Sequence, residues 1–159
     1  MRRKDREITG IDEIEEIISR ADVCRIALTD KNMPYIVPMN FGYSGGDDKR
    51  LWFHCAAKGK KLYMIRRNNY VCFEVDIDHH IIIGEKACDF GMNYRSVIGW
   101  GRIEIVTDVA EKQLGLDCIM SHYSGNKKNS YNKESLEKML VLRLDIQVMT
   151  GKKCLPLSQ

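Results

Sequence analysis

From residue 23 to residue 106 the chain is a succession of short strand-like runs separated by turn residues. This pattern narrows the possible folds more than any other feature. Val23-Cys24-Arg25-Ile26-Ala27-Leu28-Thr29 alternates as a half-buried strand does, and Asp30-Lys31-Asn32 supplies a turn. Pro34 to Tyr43 is a second run. Its internal Pro38 cannot donate to a ladder, which puts the strand at an edge or at a bulge. Gly45-Gly46-Asp47-Asp48 reads as a hairpin turn before the strand Leu51-Trp52-Phe53-His54. Further strands are expected over 71–77, 94–106 and 141–149. Gly99 and Gly101 mark a bend or a close backbone approach in the fifth. Consecutive hairpin-linked strands predict a mainly β domain with flanking helices: a small antiparallel barrel and not a parallel sheet.

Helices punctuate this pattern. Ile11, Ile14, Ile17, Ile18 and Ala21 fall at helical spacing, with Thr9 three residues before Asp12 as a loose capping box. Ala57 to Asn68 reads as a second helix, with Lys and Arg in its last turn suiting the dipole. Thr107-Asp108 caps a third, to about Tyr123, and 133–139 a short fourth. Residues 78–93 have no single period, and Gly151-Lys152-Lys153 is expected to be a loose tail.

At 159 residues, 44% hydrophobic and 30% charged, the sequence suits one globular domain spanning 1–159. A net charge of +3 is too mild to argue for nucleic acid. The apolar runs are too short for a membrane span, and no apolar region follows the basic Met1-Arg2-Arg3 start, so a cytoplasmic protein is expected. None of the six cysteines forms a CxxC pair, and the spacing to His79-His80 does not suit a structural zinc site. Reduced thiols and no metal are the expectation.

The chemistry concentrates at one strand-to-helix junction. His54 and Cys55 end a strand, and Gly59-Lys60-Lys61 opens the next helix. A glycine there lets backbone N–H groups approach a ligand, the helix start favours an anion, and two lysines add positive charge. On the residues alone, a basic pair is more often a solvated face and a strand-end histidine more often structural, and what favours a site is their co-location.

Trp52-Phe53-His54, Gly59-Lys60-Lys61, Asn68-Asn69 and Val71-Cys72-Phe73 together resemble the pyridoxamine 5′-phosphate oxidase-like FMN-binding split barrels, especially their nitroimidazole-resistance (Nim) branch. "VCRIAL", "PYIVPMNFGY", "GEKACDFGMNYRSVIGWGRIE" and "LRLDIQVMTGKK" extend the resemblance over nearly the whole chain. Asn69 stands where the pattern has proline.

The resemblance implies a six-stranded antiparallel split barrel, a homodimer with FMN at the subunit interface, and an FMN-dependent oxidoreductase acting on nitroaromatic compounds such as 5-nitroimidazoles. Gly59, Lys60 and Lys61 would hold the FMN phosphate. Val37-Pro38-Met39-Asn40-Phe41 would lie along the isoalloxazine, His54 and Cys55 beside it, and Ser96 where relatives carry a flavin-contacting glutamine. His54 would be the catalytic residue, since nitro reduction consumes protons and imidazole ordinarily titrates near neutral pH. Trp100 suits an interface, a flavin stack or a core equally, and Tyr94 and Arg95 are candidate substrate contacts. The sequence ends at Gln159 without the Arg- and His-bearing segment of the true oxidases, which argues against vitamin B6 oxidation. The electron donor is open. The alternative is a non-catalytic flavin- or haem-binding split barrel with His79 or His80 as iron ligand.

Overall fold

The computed structural model describes residues 2–125, 130–132, 134, 136 and 139–154. Eight strands form one antiparallel sheet: β1 (Glu7–Ile8), β2 (Cys24–Asp30), β3 (Met33–Met39), β4 (Gly42–Ser44), β5 (Arg50–Ala56), β6 (Tyr70–Ile82), β7 (Gly91–Val106) and β8 (Met139–Cys154). The fully described α-helices are α1 (Ile11–Arg20), α2 (Lys60–Arg67) and α3 (Val109–Ser124). The strand order is β3-β2-β6-β7-β8-β5-β4, with β1 added to β8.

The six-strand expectation therefore falls short by two. The run 34–43 breaks at Asn40-Phe41 because it changes partners: Met39 pairs with Cys24 of β2, whereas Gly42 pairs with Trp52 of β5. β1 is the other addition. Its Glu7 and Ile8 pair with Lys152 and Gly151, so the tail expected to be loose is a strand held on both sides. The sheet curls but does not close, since no ladder joins its end strands β3 and β4. Both prolines of β3 lie on such an end strand, where a missing N–H costs least.

Alternation along the strands sorts the side chains onto two faces. The inner face carries the main core: Ile26, Leu28, Leu51, Phe53, Phe73, Val75, Val97, Ile103, Leu142 and Leu144, closed by Ile14, Ile17 and Ile18 of α1 and Leu62, Met64 and Ile65 of α2. A second core lies under α3, where Trp52, Val106 and Val141 meet Leu116 and Ile119. α3 starts as the sequence predicts, with the Asp108 side chain accepting from the Glu111 N–H at 2.8 Å. α1 starts at Gly10 without a side-chain cap, so the Thr9 capping box does not form.

β7 bends where Gly99 and Gly101 stand. A Cβ at Gly101 would lie 2.1 Å from the Asp145 carbonyl oxygen, and the β7–β8 register shifts at that step. β6 runs five residues past the expected end at Ile77, through a bulge between Ile77 and His80. The short helix expected at 133–139 lies mostly outside the described residues. Glu134 and Leu136 are helical, and Met139 already belongs to β8.

Candidate functional site

α2 begins at Lys60 and not at Ala57, because Gly59 takes φ 142° and ψ 163°, a conformation that ends any continuous helix through it. The first turn of α2 has no side-chain cap and no acidic residue. Helix geometry leaves the first N–H groups without intrahelical acceptors, and Lys60 and Lys61 flank them. The space a Gly59 Cβ would occupy is open. This donor set, with the dipole's positive end, fits a phosphate group.

The helix is fixed at both ends. At its start the Lys60 Nζ sits 4.4 Å from the centre of the Tyr35 ring on β3. At its end Arg67 donates to Asp30 at 2.8 Å and Asn68 to Thr29 at 3.0 Å. Asn69, the departure from proline, uses its amide oxygen to accept from Arg102 at 3.1 Å, a bond proline could not make.

β3 leads from Tyr35 past half-buried Val37, exposed Pro38 and buried Met39 to exposed Asn40 and buried Phe41. The sequence reading missed what holds that crossing. The Phe41 N–H donates to the Tyr123 hydroxyl at 3.1 Å, and that hydroxyl donates to the Asp22 carbonyl at 2.8 Å. The His122 ring packs 4.4 Å from the Phe41 ring, with Nε2 2.8 Å from the Ala21 carbonyl oxygen. Adjacent aromatic residues at the end of a helix were the available signal.

His54 and Cys55 separate. As neighbours on β5 they face opposite sides: Cys55 is buried in the main core, and His54 is exposed on the α3 side. Burial pushes the Cys55 thiol pKa up, with the Lys61 ammonium opposing that shift. Cys55 thus behaves as a small core residue near the helix start.

Ser96 stands on β7, opposite Asp76 and Lys152, with β8 between it and β5. One chain does not bring it to His54. Trp100 lies on the outer face of β7, 36% exposed, which removes the core reading. Arg95 is occupied: it donates to Asp78 at 2.7 Å and to Glu16 at 3.3 Å. The Lys152 Nζ lies over the Tyr94 ring at 5.5 Å. His79 Nε2 is 3.0 Å from an Asp76 carboxylate oxygen, and His80 Nδ1 is 3.2 Å from the Asp78 carbonyl oxygen. Among the described residues no group of three or more His, Cys, Asp or Glu is placed to hold a metal ion, and no helix is long and apolar enough to cross a membrane.

The open antiparallel sheet with a basic, uncapped helix start beside its edge is the architecture of the split-barrel class. The pyridoxamine 5′-phosphate oxidase family profile matches residues 11–153, and the chain belongs to that family. A crystal structure from Bacteroides thetaiotaomicron, provisionally named a 5-nitroimidazole antibiotic resistance protein, is 34% identical over 92% of this chain and 86% of its own, with TM-score 0.81. Two more distant structures share the fold. The flavocytochrome Anf3 of Azotobacter vinelandii is 20% identical, covering 100% of this chain and 75% of its own at TM-score 0.82. The FAD and heme binding protein of Mycobacterium smegmatis is 16% identical, covering 97% and 76% at TM-score 0.82. No curated protein matches the chain.

Proposed function

We propose that the chain is an FMN-dependent oxidoreductase of the Nim type that reduces nitroaromatic compounds in the cytoplasm as a homodimer. The observation that carries this reading is the start of α2: an uncapped, acid-free turn with Gly59 in a glycine-only conformation and two lysines beside it. Gly59, Lys60 and Lys61 would hold the FMN phosphate. The backbone of Val37, Pro38, Met39, Asn40 and Phe41, held in place through Tyr123, would border the ring. Bound FMN supplies the redox chemistry, and an unidentified reductant its electrons.

Reduction of a nitro group also takes up protons and releases water. His54, exposed on β5 near the junction, is the residue assigned to deliver a proton to the nitro oxygen. Ser96 would reach the flavin from the second copy, since β8 separates it from β5 within one chain.

A second copy has a face to occupy. The register aligns Ile36, Ala27, Cys72, Trp100 and Val148 in one cross-strand row on the outer face of β3, β2, β6, β7 and β8. Ile36 is 62% exposed and Val148 54%. Apolar side chains contiguous on a sheet face mark an association surface. The haem reading has less support, because the Nε2 that His79 would offer iron is paired with Asp76.

The test combines binding and turnover. FMN should bind the purified chain, and His54→Ala should retain FMN while losing nitroreductase activity. Wild-type turnover by that variant would remove His54 from the mechanism.

A further inference from the structure

β5 sends Trp52 and His54 to the same side, under α3. Trp52 fills the inner end of that space, where Gly115 admits it: a Cβ there would sit 2.6 Å from the indole. His54, the next residue on that face, fills nothing comparable. Beside it lies a hollow of about 160 Å³, walled by Leu116 and Ile119 of α3, by Met139 of β8 and by Tyr131, with Met120 at its rim.

Leu116 and Ile119 are buried, whereas Met120 is 38% exposed. The Tyr131 hydroxyl is bonded to the Asp117 carboxylate at 2.8 Å. Among the described residues, the lining side chains other than His54 carry no formal charge. The hollow opens to solvent past His54 and Met120, so a guest can enter without unfolding α3. A volume of about 150 Å³ is enough for benzene, and methionine walls adapt to an irregular guest.

We propose that this hollow is a binding site for a compact, uncharged ring compound, seated between Leu116, Ile119 and Met139 with a polar substituent turned to His54. Among the described residues the walls are mostly carbon, so an anionic ligand would lose hydration with little to replace it, and an uncharged ring is favoured. The capacity to bind a ring is a property of the α3 core alone. Its use as the seat of the reducible substrate rests on the flavin reading above, with His54 shared between the two.

The experiment is a titration of the full-length chain with benzene, imidazole and phenyl phosphate, followed by amide and methyl NMR, once without flavin and once with FMN added. Benzene and imidazole should give saturable shifts centred on His54, Leu116, Ile119, Met120 and Met139, and phenyl phosphate none. Ile119→Phe should fill the hollow and Met120→Trp close its rim. Each should weaken benzene at least tenfold with FMN affinity unchanged. The second keeps the test usable if the first does not fold.

Scattered or unsaturable shifts, wild-type benzene affinity in a folded variant, or equal binding of phenyl phosphate in the hollow would each overturn the proposal. Ring binding without FMN binding would uphold it and sink the flavin reading. FMN binding without ring binding would do the reverse.

Discussion

Gly59 shows how one residue sets the site. At φ 142° and ψ 163° it occupies a region essentially closed to other residues. Gly59→Ala is expected to cost about 1–3 kcal/mol of stability, read as a lower midpoint in urea, and to weaken FMN. Lys60→Ala with Lys61→Ala should raise the FMN Kd at least tenfold with little change in the urea midpoint, because a charged hydrogen bond contributes about 1.5–3 kcal/mol when well made and solvent discounts Lys60. An unchanged Kd would place the phosphate elsewhere. Composition and position made these three residues legible in the sequence, whereas the dihedral that isolates the helix start was not. Cys55 was harder to read, because adjacency to His54 suggested a shared role that strand alternation forbids. Among the other thiols, burial raises Cys118 to about 11. A folded pKa above the unfolded one means its contribution is complete below about pH 8.5 and is lost as pH rises toward about 11. Cys118→Ala should flatten that part of an alkaline stability profile.

At the scale of elements, the long β6–β7 hairpin explains why residues 78–93 resisted reading. Ile77 pairs with Arg95 and His80 with Asn93, so three steps on β6 answer two on β7. The alternation changes phase there, and a period-two search loses the strand. Asp78 sits in the bulge with φ 58°. Its carboxylate accepts from Arg20 and from Arg95, each at 2.7 Å, and Arg95 holds its pKa below the ordinary carboxylate range, with Arg20 adding to the effect. The sign follows: the contribution is present above the unfolded pKa near 3.9 and is lost as pH falls through the lower folded value. Asp78→Asn keeps a residue that tolerates positive φ while removing the charge. It should lower stability by about 1 kcal/mol at pH 7 and converge on the wild type as pH falls below the ordinary carboxylate range. Urea melts across that range decide it, and a constant gap at all pH values would show the charge to be irrelevant. The tail at 151–153 was unreadable for a different reason: it is a strand because β7 and β1, both distant in sequence, lie beside it.

For the whole molecule, the number and order of strands identified an antiparallel barrel-like sheet, but not that the sheet stays open between β3 and β4. The break at Asn40-Phe41 is held by Tyr123, a long-range contact whose sequence trace is only the His122-Tyr123 pair at a helix end. The outer row through Trp100 and Val148 leaves apolar side chains of central strands uncovered within one chain, which a second copy would relieve. Sedimentation of the wild type should give a dimer, and Trp100→Glu a folded monomer by circular dichroism with weakened FMN binding. A monomeric wild type would refute the interface.

The most direct test of the flavin reading is the absorbance spectrum of the purified protein, followed by release and identification of its chromophore. The expected result is a flavin spectrum and FMN as the released compound, at one per chain. A Soret band from haem, or no chromophore together with no thermal shift on adding FMN, would contradict it.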